Sequence, residues 1–99
     1  DKWINNIFGF AEECSSRLGE EPADMDSVFN KVNDLFEYLP LAAVIDERIV
    51  CLHGGIGSTL LNLEQVEQIQ RPLEVIHEVS TPEQQLAIDI LWSDPTDSD

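Results

Sequence analysis

Basic residues are scarce in this chain. Five Lys and Arg stand against twenty Asp and Glu among 99 residues, a formal net charge of −15. That balance excludes two partners held by electrostatics, the phosphate backbone of nucleic acid and the anionic membrane surface. It favours basic partner peptides, or serves solubility alone. No block of acids is long enough to act as an acidic tail; mild clusters stand at Glu20-Glu21, at Asp24 and Asp26, and at the C-terminal end. Long apolar runs are missing too, so no segment reads as a bilayer span, and no signal peptide opens the chain. There is no initiator Met, and Thr96-Asp97-Ser98-Asp99 closes the chain without a terminating element. Both ends are therefore expected to be cuts. Cys14 and Cys51 are the only cysteines, too few and too far apart for a disulfide framework. Both fall in apolar segments and are expected to be buried free thiols, which points to a reducing, intracellular compartment; the expected location is cytoplasmic or nuclear.

What is present is enough for one small domain or a piece of a larger one. Ile4, Ile7, Phe8, Ala11, Cys14 and Leu18 recur at helical spacing, predicting one helix over 2–18 with Gly19 as its C-terminal cap. Gly9 is a weak point within it, worth ~1 kcal/mol relative to Ala. After a linker over 20–23, Asp24 or Asp26 is placed to cap a second helix carrying Val28, Phe29, Val32, Leu35, Phe36 and Leu39, ended by Pro40. Leu41 to Ile45 and Ile49 to Leu52 flank Asp46-Glu47-Arg48 and predict a β-hairpin, so continuously apolar that both faces should be buried. Asn62 and Gln65 have the spacing of a capping box for a short helix, which Arg71-Pro72 stops. Leu73 to Ser80 is irregular or a short edge strand. Thr81-Pro82-Glu83-Gln84 is a strong start for the last helix, with Leu86, Ile90 and Leu91 behind it.

The sharpest chemical candidate is His53. An apolar strand delivers it to Gly54-Gly55, and strand-borne imidazoles beside glycines are common metal ligands. A lone histidine after a strand is more often a hydrogen-bonded structural residue, and no other ligand-type group lies near it in sequence. His77, among polar residues, reads as a surface residue. The loop His53-Gly54-Gly55-Ile56-Gly57 lacks the Lys-Ser/Thr ending of a P-loop and the spacing of a dinucleotide loop. No paired carboxylate sits where its pKa would rise into the range of acid–base work. By pattern alone, Ile4, Phe8 and Trp92 belong to the core.

Five ordered blocks resemble the PPP family of metal-dependent serine/threonine protein phosphatases. They are Ile4-Asn5 with Ile7-Phe8-Gly9-Phe10 and Glu13-Cys14, then Phe36-Glu37-Tyr38-Leu39-Pro40-Leu41-Ala42-Ala43, then Cys51-Leu52-His53-Gly54-Gly55-Ile56, then Gln70-Arg71-Pro72, and last Leu91-Trp92-Ser93-Asp94-Pro95. Gly57 and the Asp94-Pro95-Thr96 ending make the chain similar to the kelch-repeat phosphatases within the type 1-like branch. The resemblance implies an α/β fold: a fragment of a calcineurin-like metallophosphoesterase β-sandwich flanked by helices, with 1–99 a middle segment of the catalytic domain. It implies a parent enzyme that hydrolyses phosphoserine and phosphothreonine with two divalent or trivalent metal ions of the Mn, Fe or Zn type. His53 would be one imidazole ligand, so at most one partial metal site lies here. The other ligands belong to Asp-x-His, Gly-Asp-x-x-Asp-Arg and Gly-Asn-His-Glu motifs and a further histidine, none of which this sequence contains.

The resemblance also assigns Ile4, Phe8 and Trp92 to the substrate groove, Phe8 standing where type 1 enzymes carry tyrosine. It assigns Asp46, Glu47 and Ile49 to a surface that docks regulatory subunits or inhibitor peptides with basic-hydrophobic motifs. Phosphoproteins are then the substrates, and neither nucleic acid nor membrane is a partner. The other reading is a non-catalytic acidic interaction module, a pseudophosphatase that binds basic partner peptides. With no catalytic residue of its own, the purified 99-residue chain is expected to show no phosphatase activity. Measurable turnover of a phosphopeptide by that chain would refute this.

Overall fold

The structure, a computed structural model, describes residues 1–97. It divides the chain into two units, one formed by Asp1–Leu39 with Pro72–Glu74 and the other by Pro40–Arg71 with the chain from Val75 onward. The elements follow the expected α/β order of helices, hairpin and short helices.

In the first unit, α1 (Lys2–Ile7) starts at Asp1, whose carboxylate accepts from the Ile4 amide at 3.2 Å. The predicted single helix is in fact two. It breaks at Phe8 and Gly9 and resumes as α2 (Phe10–Leu18). Gly9 takes φ 106°, a backbone conformation closed to most L-residues, which turns the chain out of α1 and starts α2. Gly19 closes α2 at φ 66°, its amide donating to the Ser15 carbonyl.

The third helix, α3 (Val28–Phe36), is shorter than its apolar stripe; turns carry the chain from Glu37 to Leu39. Neither Asp24 nor Asp26 caps it. Ser27 does, accepting from the Asn30 amide at 3.2 Å. The Glu20 carboxylate, from the preceding linker, accepts from the Val28 and Phe29 amides at 2.8 and 3.0 Å. A carboxylate there satisfies two otherwise unpaired donors and opposes the positive end of the helix dipole. Ala11, Cys14 and Phe29 form the buried cluster, with Phe10 stacked at a tilt on Phe29, centroids 5.7 Å apart. The buried amides are satisfied: Asn30 donates to the Pro22 and Asp24 carbonyls, and Asn33 donates to the Phe29 carbonyl while accepting from Asn5.

In the second unit, β1 (Ala42–Ile45) and β2 (Ile49–Leu52) pair antiparallel, with Ala42 opposite Leu52 and Ile45 opposite Ile49. The turn needs no glycine. Asp46 and Glu47 both adopt left-handed backbone, φ 51° and 52°, and the Arg48 amide closes onto the Ile45 carbonyl at 3.0 Å. These are the φ signs of a type I′ turn, whose twist suits a hairpin. The expected burial of both faces does not hold. Val44, Ile45, Ile49 and Val50 are 43–55% exposed, and Cys51, expected to be buried, is also exposed. The reason is partnership: among the described residues the sheet has two strands, and a lone hairpin cannot cover its own faces. Cys14 is buried as expected, and burial, reinforced by the Glu20 and Glu13 carboxylates, pushes its thiol pKa up and disfavours the thiolate.

The Asn62 and Gln65 capping box forms, each side chain accepting the other's backbone amide, at 3.1 and 3.0 Å. It stands just ahead of α4 (Glu64–Glu67), whose N-cap, Leu63, makes no side-chain capping bond. The segment from Leu73 to Ser80 carries no strand. The last helix, α5 (Pro82–Trp92), opens on a complete Thr81–Gln84 capping box with Pro82 in its first turn. Leu86, Ala87 and Ile90 are its buried residues, and Ile69 is buried in the same unit.

Candidate functional site

His53 is the first residue after β2, and its position is set by α5. An α-helix leaves its last four carbonyls without intrahelical partners. In α5 the Ile90 carbonyl is one of these, and it accepts the Gly54 amide at 2.7 Å and the Gly55 amide at 3.4 Å. The approach is so close that a Cβ on Gly54 would lie 2.8 Å from the Leu91 carbonyl carbon and 2.9 Å from the Ile90 oxygen. Glycine is required there by space.

A few residues later the loop meets α5 again. The Thr59 hydroxyl donates to Asp89 Oδ2 at 2.6 Å, and Gln85 Nε2 donates to Asp89 Oδ1 at 2.8 Å. Gly57 lies against the Asp89 side chain, where a Cβ would overlap it. The Thr59 hydroxyl, and after it the Gln85 amide, holds the Asp89 carboxyl below the usual carboxylate range.

The His53 side chain is exposed, and among the described residues it has no hydrogen-bond or ion-pair partner. The more frequent reading of such a histidine, a satisfied structural residue, therefore finds no support in the contacts. Among the described residues no group of three or more His, Cys, Asp or Glu could hold a metal ion. The residues present thus fit one ligand of a metal site and not a whole one: a single imidazole, on a loop that a Cβ at Gly54 would displace.

The other assigned residues divide between the units. Ile4 is half-buried and Phe8 is 78% exposed, both in the first unit. Trp92, in the second, ends α5 and is 45% exposed. Phe8 and Trp92 are therefore not core residues, contrary to the pattern-based expectation. His77, exposed as expected, packs edge-on against Trp92 with ring centroids 5.3 Å apart. Asp46, Glu47 and Ile49 are all exposed around the hairpin turn. Arg48 Nε lies 3.9 Å from Asp46 Oδ2, a solvent-exposed pair of little energetic weight.

Sequence reasoning missed Thr59, Gln85 and Asp89. One signal was available: Asp89 is a lone acid inside the otherwise apolar stretch from Leu86 to Trp92, where an unpartnered charge is unfavourable.

Two comparisons bear on this site. Residues 5–99 match the family model described as calcineurin-like phosphoesterase. The chain is also 46% identical over 96 residues to the serine/threonine-protein phosphatase BSL2 of Arabidopsis thaliana, a match covering 97% of this chain and 9% of that protein.

The tight approach of Gly54 to α5 sets an expectation. Gly54→Ala should destabilise the full-length protein by roughly 1–3 kcal/mol, the usual cost of overpacking against an unyielding neighbour. Gly55→Ala should cost less, because its Cβ would meet the Ser93 side chain at an ordinary 3.5 Å. Denaturant unfolding of both variants checks the order, and equal midpoints would contradict the packing described.

Proposed function

Because this chain belongs to the calcineurin-like phosphoesterase family, we propose that the protein carrying it is a metal-dependent serine/threonine phosphatase in which His53 is a metal ligand. The reading rests on one observation above all: an exposed imidazole without other partners among the described residues, at the end of a strand, on a loop fastened to a helix terminus. The identity to a plant serine/threonine-protein phosphatase across nearly the whole chain supports the substrate class, phosphoserine and phosphothreonine proteins. What a metal pair supplies in such hydrolases is electrostatic clamping of the phosphoryl oxygens and a water acidic enough to attack phosphorus. Of manganese, iron and zinc, the last two suit imidazole best, and manganese favours oxygen donors.

This chain's own residues do the holding. His53 offers a ring nitrogen, and its neutral form is the one that binds. Gly54 and Gly55 bring the loop onto the Ile90 carbonyl, which anchors at one point the residues that follow the imidazole. Ile4 and Phe8 in the first unit and Trp92 in the second would each offer apolar surface to the substrate polypeptide, and the edge contact of His77 restrains the Trp92 ring. The hairpin turn serves a second purpose. Asp46 and Glu47, held outward by left-handed backbone beside the exposed Ile49, suit a basic-hydrophobic segment of a regulatory subunit or inhibitor.

In the full-length protein, His53→Ala should lower kcat on a phosphopeptide by at least about 100-fold, beyond the 10–100-fold typical of residues that merely support a ligand. Bound manganese per chain should fall in parallel; unchanged metal content would overturn the ligand assignment. Charge reversal at the turn, Asp46→Lys with Glu47→Lys, should weaken binding of a basic-hydrophobic peptide while hydrolysis of a small phosphate ester stays intact. Loss of both together would argue that the turn serves the fold instead.

A further inference from the structure

A glycine-rich loop is a poor mount for a metal ligand. Three of the residues that follow His53 closely, Gly54, Gly55 and Gly57, are glycines, and glycine has more conformational freedom to lose than any other residue. A ligand has to be held within about 0.5 Å of its productive place. The bonds from Gly54 and Gly55 converge on one oxygen, the Ile90 carbonyl. One acceptor makes one pivot, about which the rest of the loop could still swing.

The second tether removes that freedom. Asp89 precedes Ile90 in α5, and its carboxylate takes the Thr59 hydroxyl at 2.6 Å, at the far end of the loop. A bond to an ionised acceptor is short and about twice as strong as a neutral one. Gln85, one helical turn back, donates to the other carboxylate oxygen at 2.8 Å and fixes the rotamer of Asp89. Gly57 lies directly on that side chain, so the loop is pressed against the carboxylate as well as bonded to it. Both ends of the loop therefore finish on a single turn of α5.

We infer that Asp89 is a positioning residue for His53: by clamping Thr59 and Gly57 to the turn of α5 that also holds Gly54, it fixes the imidazole for metal binding without touching the metal. The inference rests on the reading of His53 as a ligand. Neither Asp89 nor Thr59 is assigned any part in the chemistry. Residues that orient a ligand in this way typically cost 10–100-fold in metal affinity when removed.

The test is calorimetric titration of the metal-stripped full-length protein with Mn²⁺ alone. Asp89→Ala should raise the Kd for Mn²⁺ about tenfold. Asp89→Asn keeps a carbonyl oxygen that can accept the Thr59 hydroxyl and should fall between Asp89→Ala and the parent protein. Thr59→Val removes the same bond from the loop side, leaves the helix untouched, and should match Asp89→Ala; it carries the test if Asp89→Ala does not fold. The deciding measurement is the double variant. With His53→Ala already present, adding Asp89→Ala should change the Kd by less than about twofold, because positions that act through one another are not additive. If Asp89→Ala or Thr59→Val leaves the Kd unchanged, or if Asp89→Ala weakens binding equally with and without His53, the positioning role is overturned. If His53→Ala alone leaves the Kd unchanged, the ligand reading itself falls, and the inference with it.

Discussion

The second unit turns on one acceptor, the carbonyl of Ile90. A helix that stops at Trp92 leaves this group without an intrahelical partner, and a buried carbonyl left unpaired costs about 1–3 kcal/mol. The loop after β2 supplies the missing donors, Gly54 and Gly55. One hydrogen-bonding requirement thus does two things: it finishes α5 and it places the residue next to Gly54. That close approach explains why the residue after His53 is glycine. With any side chain at position 54, the backbone of Leu91 would have to move away, and the carbonyl would lose its partner.

The same logic of unpaired helix ends organises the first unit, through an acid in place of glycines. Glu20 reaches from the linker to the first two amides of α3, while Ser27 takes the amide of Asn30. The core behind them is small, Ala11, Cys14 and Phe29. Polar pairing therefore carries a large share of the order here, and the Asn5–Asn33 and Asn30 bonds tie neighbouring segments where apolar contact is thin. Apolar side chains at Phe8, Leu18 and Leu35 remain largely exposed in the same unit. The stripes that mark these helices as amphipathic are wider than the surface their described neighbours cover.

What could be read from the sequence was what is local. Both capping boxes, the Gly19 terminus, the start of α5 and the hairpin pairing depend on residues a few positions apart, and each formed where its spacing placed it. The break at Gly9 was visible only as a weak point, because helical periodicity runs through it and a glycine can either continue a helix or leave it. The cap of α3 is Ser27 and not Asp24 or Asp26, because serine and aspartate cap about equally well and composition does not choose among neighbours; the Glu20 carboxylate adds its bonds from eight residues upstream of Val28. Burial of the hairpin was misjudged because apolar content states what a strand can bury and says nothing of whether a partner is present. At the site, the place of His53 was legible and its support was not. Thr59 and Asp89 are thirty residues apart, and nothing in their spacing announces that they meet.

Charge gives the last constraint, and it falls on the same loop. From Ile49 to Leu63 the sequence carries no acid at all, fifteen residues in which a chain of this composition would otherwise place about three. Were His53 to serve a metal and an anionic, phosphorylated substrate as proposed, carboxylates on this stretch would repel the substrate and compete for the metal. The acids collect elsewhere: at the hairpin turn, in the linker before α3 and toward the C-terminus. Asp89 does approach the loop, and its two oxygens are occupied by Thr59 and Gln85. A carboxylate so engaged stays ionised, and its charge strengthens the bonds by which it holds the loop. The excess of acid in the chain as a whole therefore does not extend to the stretch of sequence that carries His53.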